Sequence, residues 1–455
     1  MRRFFLAFAV LIHAASAAPP NRTAHAPPPQ TNMFTFALTG GVSSAQNAFS
    51  GKTPQTTLGV VPLETSAYAI RVGFCNPFNY PVVITSAAAY PSTTYSLAAN
   101  VDANQANVAV VPTGGGSSLE SKLYFTFGGA DDPRVNDGSY GTTRGITIQG
   151  ANTTSPNYSC VIQWTDWAPF QSLARTDGGS QTLAFIYVTF GGTGSYTYTM
   201  PGNAAGYFNA NNAQGRKVMF ALDSAWGTDH TDAPASAFWQ QGGAQAQNAA
   251  FYAVQYMSLN YGNQILVVGD SLSVAPTNDN MSPSLWRAAM SMSTPTSPIG
   301  FASVAWGGQA FLGYGETARL NLSSIKPTVY AAQAISRNDA FTTAGQLELL
   351  GKHANLYTLA NRAWGTRLIW QQPGGEPSAD GNGTQTGAFS TIYSLMKSLT
   401  NTPFVPFIDC MSVIGNPAAP WDYLTGYSDD NTHPNTAGAA ACVPLATSAL
   451  QGVLY

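Results

Sequence analysis

The chain has 455 residues, enough for two to three domains, and 44% of them are hydrophobic, so a core of ordinary size is within reach. Asp, Glu, Lys and Arg together make up only 9%, and the net charge is −3 with no basic run. A phosphate backbone is bound by clustered Lys and Arg, so nucleic acid is excluded as a partner. A bilayer span takes about 20 apolar residues, and no stretch reaches that, so no stable membrane insertion is expected.

Residues 1–17 read as a signal peptide. Arg2 and Arg3 form the basic start, residues 4–12 a short apolar run, and Ala15-Ser16-Ala17 a small-residue cleavage site. The expectation is a secreted protein, extracellular or periplasmic. Arg2-Arg3-Phe4-Phe5-Leu6 partly matches a twin-arginine signal and leaves the export route open. Residues 18–33 are Pro-rich and polar, the composition of a tether.

Residues 34–225 predict an all-β sandwich. Strand-like runs at 68–74, 80–85, 122–127, 184–190 and 217–222 alternate with Gly-Gly, Asn-Asp-Gly and Asp-Gly-Gly turns. Residues 226–261 form a bridge, in which 244–259 has apolar residues at helical spacing. Residues 262–455 change character. Strand-like runs at 264–268, 301–305, 328–335, 367–371 and 404–408 alternate with helix-like segments, notably 344–362, 388–399 and 436–450. That alternation predicts βαβ units and a parallel sheet.

Four cysteines, Cys75, Cys160, Cys410 and Cys442, allow three disulfide connectivities. Two lie early and two late, which favours Cys75–Cys160 and Cys410–Cys442, one bridge in each domain. No CxxC spacing points to zinc or redox chemistry. Asn21, Asn152, Asn157, Asn280, Asn321 and Asn382 begin Asn-x-Ser/Thr sequons, which become glycan acceptors in a glycosylating host.

The most informative stretch is 265–273. Four aliphatic residues read as a buried strand, Gly269 breaks it, and Asp270 and Ser271 follow at its carboxyl end. That is where an open α/β sheet exposes its chemistry. A nucleophilic serine there needs a base, a group that orients the base, and donors for an oxyanion. His25 falls in the tether, His230 in the bridge, and His353 on an expected solvated helix face. His433 lies in a loop before the last helix, with Asp430 three residues ahead and Pro434 behind. That spacing can bring the carboxylate to Nδ1, where it fixes the tautomer. Gly307 and Gly308 end the second strand, where a missing side chain lets an N–H approach a substrate. Asn338 ends the third and carries an amide donor. Taken singly, each has an ordinary reading as a turn, a cap or a surface loop; their order along one βα region is what aligns them.

In that order the residues resemble the SGNH hydrolases, the GDSL-type esterase/lipase superfamily. The matching blocks are Gly269-Asp270-Ser271-Leu272-Ser273, Gly308, Asn338 in Ser336-Arg337-Asn338-Asp339, and Asp430 and His433 before Pro434. The resemblance spans 262 to the end. It implies a three-layer, flavodoxin-like α/β domain with a parallel sheet. It also implies Ser271 as nucleophile and oxyanion donor, Gly308 and Asn338 as further oxyanion donors, His433 as general base then acid, and Asp430 as its orienter. Two places depart from the pattern. Ser336 stands where the family usually has Gly, and Gly307 competes with Gly308, which is preferred because the polar Gln309 follows it. No cofactor or metal is expected: there is no HExxH, the carboxylates do not cluster with histidines, and Gly114-Gly115-Gly116 reads as a turn, not a phosphate loop.

The resemblance implies an ester substrate. Export, an additional β domain and the aromatic residues Trp421, Tyr423 and Tyr427 before His433 point to an acylated carbohydrate. The first expectation is therefore a carbohydrate (acetyl) esterase with Trp421 and Tyr423 contacting substrate. A lipid or small-ester esterase is the second, and a surface carbohydrate-binding or adhesion protein with an inactive hydrolase domain is the third.

Overall fold

The computed structural model describes residues 30–37, 54–63, 65–76, 81–92, 94–97, 110–113, 123–128, 144–149, 159–170, 183–191, 219–223, 227–229, 231, 239–240, 252–273, 284–375, 383–400 and 405–454. The first half is all strand among these residues: β1 (Thr31–Ala37), β2 (Gln55–Pro62), β3 (Ala69–Phe74), β4 (Val82–Ser92), β5 (Thr94–Leu97), β6 (Val110–Thr113), β7 (Leu123–Tyr124), β8 (Ile146–Ile148), β9 (Gln163–Trp164), β10 (Ala168–Pro169), β11 (Leu183–Gly191), β12 (Met219–Asp223) and β13 (Trp239–Gln240). The second half alternates: β14 (Ala253–Val268), α1 (Ser284–Met292), β15 (Ile299–Ser303), α2 (Phe311–Ile325), β16 (Val329–Gln333), α3 (Thr343–Trp364), β17 (Arg367–Gln372), α4 (Gly383–Thr400), β18 (Phe407–Asp409), α5 (Met411–Ile414), β19 (Gly415–Asn416), β20 (Ala419–Tyr423) and α6 (Thr436–Gln451).

β14 is the axis of the larger sheet. Its second half pairs in parallel with β15 on one edge and β16 on the other, and β17 and β18 continue outward, all parallel. Counted from β14, the strands run second, first, third, fourth, fifth, the flavodoxin-like order. Such strands are covered on both faces, which is why Ile265 to Val268 form a continuous apolar run with none of it exposed by more than 1%. α1 packs on α6, and α2, α3 and α4 pack one against the next. α3 starts where the Thr342 hydroxyl accepts the Gly345 N–H and stops at Gly365, in the left-handed region at φ 69°.

The first half of β14 differs from expectation. The helical spacing read over 244–259 gives way, from Ala253 onward, to strand; 244–251 lie outside the described residues. The segment is flanked by two strands, β1 and β3, both antiparallel to it. Its amide groups are thereby satisfied on both edges, and the β-prone Val254 and Tyr256 pack into the core. Gln255, which fits neither periodicity, is fully buried because its side chain bonds Arg71 Nε and Thr35 Oγ1, both at 2.8 Å.

The boundary expected at 261/262 therefore falls inside one strand. β1, β3, β9 and β10 belong to the same sheet as the parallel strands, while β2, β4, β7, β8, β11, β12 and β13 form a second, seven-stranded antiparallel sheet. One apolar cluster holds residues of both halves, Phe74 and Phe125 with Leu266 and Trp306. The end of the expected tether, residues 31–33, is part of β1.

Disulfides join Cys75 to Cys160 and Cys410 to Cys442, with Cα separations of 5.8 and 5.2 Å. The first does not stand apart from the α/β layers. Asn321 of α2 donates to the Cys160 carbonyl (2.9 Å) and accepts from the Ile162 N–H (2.8 Å). At 1% exposure Asn321 is no glycan acceptor, and the other five sequons lie outside the described residues.

Candidate active site

Three strand ends meet at the carboxyl edge of the parallel sheet. Ser271 follows β14, Gly308 follows β15 and Asn338 follows β16, so the serine sits between the other two at the point where strand order reverses. A ligand crevice in an open α/β sheet lies at such a point. Ser271 is half-buried. An isolated parallel bridge between Asp270 and Trp306 ties its turn to the one that carries Gly308. Gly308 has φ 71°, and a β-carbon placed on it would meet nothing within 4 Å. The backbone requires glycine there, and the side lacking a side chain faces open space.

Asp270 anchors this edge. It is wholly buried. One carboxylate oxygen accepts from Gln333 Nε2 (2.8 Å) and the Leu272 N–H (2.9 Å). The other accepts from Ser336 Oγ (2.7 Å) and, more weakly, Asn338 Nδ2 (3.4 Å). Burial raises its pKa above the ordinary carboxylate value against the pull of the hydrogen bonds from Ser336, Leu272 and Gln333. Gln333 extends the network, accepting from the Asp270 N–H (3.0 Å) and Ser273 Oγ (2.7 Å). Gln346 of α3 holds Ser336 from behind through its N–H and carbonyl. Ser336, the departure from the family's glycine, is thus a ligand of the buried carboxylate. Asp339, also raised by burial, receives the Phe311 N–H at the start of α2.

On the C-terminal side, His433 Nδ1 lies 2.7 Å from Asp430 Oδ2, and Asp430 Oδ1 accepts the N–H groups of Thr432 (2.8 Å) and His433 (2.7 Å). Asn431 between them takes φ 57°, and Ser428 bridges Pro434 to close the loop. Partial burial would lift the Asp430 pKa, but the hydrogen bonds from the His433 ring and the two amides bring it to about 2. His433 Nε2 is shielded from solvent and has no hydrogen-bond partner. Asn435, next to this loop, caps α6 by accepting from Ala437 and Gly438 N–H.

The histidine loop and the serine turn meet at Gly374, after β17. A β-carbon placed there would lie 2.9 Å from Leu272 Cδ2 and 3.3 Å from Pro434 Cδ, the residues that follow Ser271 and His433. Arg337, beside Asn338, reaches Thr432 Oγ1 at 3.3 Å. The structure so gathers Ser271, Gly308, Asn338, Asp430 and His433 along one edge. His353 does not join them. Contrary to the solvated face expected, it is wholly buried among Phe311, Tyr314, Tyr330 and Trp370, with Nδ1 2.9 Å from the Tyr330 hydroxyl. Its helix packs on α2 and on β16 and β17, so the face read as outer is inner. Tyr423 and Tyr427 are half-buried and pack against the core; Trp421 lies in β20 with its side chain outside the described residues. His25 and His230 are also outside them. Among the described residues no cluster of His, Cys, Asp or Glu is suited to a metal, and no helix is long and apolar enough to cross a membrane.

Gln333, Gln346, Gln371 and Gly374 were not singled out in the sequence. A signal exists for two of them: Gln333 interrupts an otherwise apolar run and Gln371 ends another, and they are register partners across β16 and β17. A polar residue ending a doubly covered strand needs a buried partner.

No family model matches the chain, and no curated protein matches it. Among solved structures it is similar to TesA, at 18% identity and TM-score 0.32, over 42% of this chain and 99% of that one. It is similar to the psychrotrophic esterase EstA of a Pseudoalteromonas species, inhibited by monoethylphosphonate, at 16% identity and TM-score 0.32, over 42% and 97%. A lipase/acylhydrolase from Enterococcus faecalis gives 16% identity and TM-score 0.32, over 42% and 97%. At these scores the likeness says nothing about chemistry.

Proposed function

We propose that the chain is a secreted serine ester hydrolase whose substrate is an acylated carbohydrate, an acetyl ester first. The observation that carries the hydrolase reading is the Asp430–His433 pair. Its carboxylate engages Nδ1 while Nε2 is sheltered and unpaired, on a loop that meets Gly374 beside the residue after Ser271. An imidazole so held presents its basic nitrogen to a hydroxyl. In an apo state the last link, from hydroxyl to imidazole, is commonly loose.

In the proposed reaction, Ser271 Oγ attacks the ester carbonyl and its proton passes to His433 Nε2. The imidazolium is stabilised by Asp430, which stays ionised. The oxyanion accepts hydrogen bonds from the Ser271 and Gly308 N–H groups and from Asn338 Nδ2. Collapse expels the alcohol, protonated by His433, and leaves an acyl-serine. Water then attacks, gives its proton to the same nitrogen, and releases the acid and free Ser271.

The carbohydrate part rests on the signal-like leader and on the large β-rich first half. Tyr423 and Tyr427 lend it less support than their sequence positions did, because both pack inward. Hydrolysis of p-nitrophenyl acetate by the wild type and by Ser271→Ala tests the chemistry; equal rates would refute it. Acetate release from acetylated glycans, beside short- and long-chain esters, tests the substrate. A preference for long acyl chains would favour a lipid esterase instead.

A further inference from the structure

We propose that Tyr423 is a positioning residue whose hydroxyl clamps the His433 loop against the end of β17. For its catalytic readout this rests on the hydrolase reading above. The phenol uses both of its hydrogen-bonding capacities. It donates to the carbonyl of Thr432, the residue before His433, at 2.9 Å. It accepts the N–H of Gly375 at 2.8 Å. One oxygen therefore links the histidine loop to the segment that packs against the serine turn.

Three further features make this link matter. First, a β-carbon on Gly374 would displace its neighbours, because Tyr423 Oη, Leu272 Cδ2 and Pro434 Cδ converge on that position. The serine turn, the histidine loop and the tyrosine hydroxyl so share one point of closest approach. Second, Tyr423 stands on a fixed frame. It ends β20, which pairs with β19, and the next residue, Leu424, bonds back to Ile414 at the end of α5. Cys410, which caps α5, is bridged to Cys442 of α6, the helix that the histidine loop enters. Third, His433 Nε2 has no partner to aim it. Its direction follows from Asp430 and from the path of the loop alone. That path is held at two adjacent residues: His433 gives its N–H to Asp430 and receives Ser428 Oγ on its carbonyl, while Thr432 gives its N–H to Asp430 and receives Arg337 on its hydroxyl and Tyr423 on its carbonyl.

Tyr423→Phe removes the hydroxyl and leaves the ring. Displacing a reacting group by about 1 Å can cost about 100-fold, so kcat is expected to fall about 10- to 100-fold while KM stays within about twofold. Gly374→Ala, which pushes the same three groups apart, is expected to do likewise. The double variant should lose little more than the worse single one, since the two changes disturb one unit. Amide hydrogen exchange supplies a readout that does not depend on catalysis. Exchange of the Gly375 amide and of residues 428–435 should quicken in Tyr423→Phe, with α3 unchanged. A wild-type kcat in Tyr423→Phe would overturn the proposal, as would unchanged exchange at Gly375 or a loss of protection spread equally through α3. If the wild type hydrolyses no ester, the hydrolase reading fails, and the clamp stands or falls on the exchange result.

Discussion

Asn338 illustrates how one side chain can serve two masters. Its amide has two N–H groups. One leans weakly on Asp270 Oδ2 at 3.4 Å, a carboxylate oxygen that Ser336 already occupies at 2.7 Å. Its own backbone N–H is held by Ser336 Oγ at 3.2 Å. The residue is therefore fixed by its main chain and by a buried carboxyl group, which leaves its second amide hydrogen for a ligand. A preset donor of this kind is worth most when charge develops on the oxygen it faces. Asn338→Ala is expected to lower kcat about 100- to 1,000-fold with KM little changed. Steady-state kinetics on p-nitrophenyl acetate checks this, and a rate near wild type would remove Asn338 from the oxyanion site.

β14 decides how the chain is divided. Its sixteen residues serve two sets of neighbours, β1 and β3 first, then β15 and β16. Gln264 sits at the handover: its Oε1 accepts the Thr35 N–H at 2.6 Å and its Nε2 donates to the Thr35 carbonyl at 3.1 Å. A chain that begins at residue 262 keeps β15 and β16 beside β14 yet loses β1, with Thr35 and its parallel pairing to β15, and loses the partners of Asn321 at 160–162. Several buried polar groups would be left unpaired, each costing about 1–3 kcal/mol. Such a fragment is expected to lack a cooperative thermal transition, whereas the chain starting at 30 should show one; calorimetry of the two decides. The same strand shows where sequence was legible. The parallel strands and long helices announce themselves, because a strand covered on both faces reads as an unbroken apolar run, and α3 and α6 carry their caps at Thr342 and Asn435. The candidate residues Ser271, Gly308 and Asn338 stood out for a related reason, since they follow the ends of those runs, while Asp430 and His433 stood out as a pair just before the last helix. What was hidden depends on distant partners. The helical spacing over 244–259 is local, while the pairing of β14 with strands some two hundred residues away is not. Gln333, Gly374 and the Tyr423 hydroxyl acquire their roles only when three loops close on one another.

The acid limit of the folded state follows from groups of opposite sign. His353 is buried without a counter-charge among the aromatic rings, and burial lowers its pKa from 6.5 to about 3. Phe311, which packs on His353, has Lys352 over its ring and Asp339 at its N–H. Between pH 6.5 and 3 the unfolded chain binds a proton at this site and the folded chain does not. Stability is therefore full above 6.5 and is lost as pH falls toward 3. Asp430, lowered to about 2, contributes stability that is present above its ordinary 3.8 and lost as pH falls through 2. Asp270 and Asp339 act the other way: their raised values mean the folded state holds protons longer, so their contribution declines as pH rises through and above 3.8. Above pH 5 the His353 slope is the one a single substitution can isolate. Between pH 8 and 5 it amounts to about 2 kcal/mol. Urea unfolding of the wild type and of His353→Gln, in which the amide can still meet the Tyr330 hydroxyl, should show the gap between the two narrowing by that amount as pH falls from 8 to 5. A gap that stays constant would mean that His353 takes up its proton inside the fold, and that the aromatic box opens to admit it.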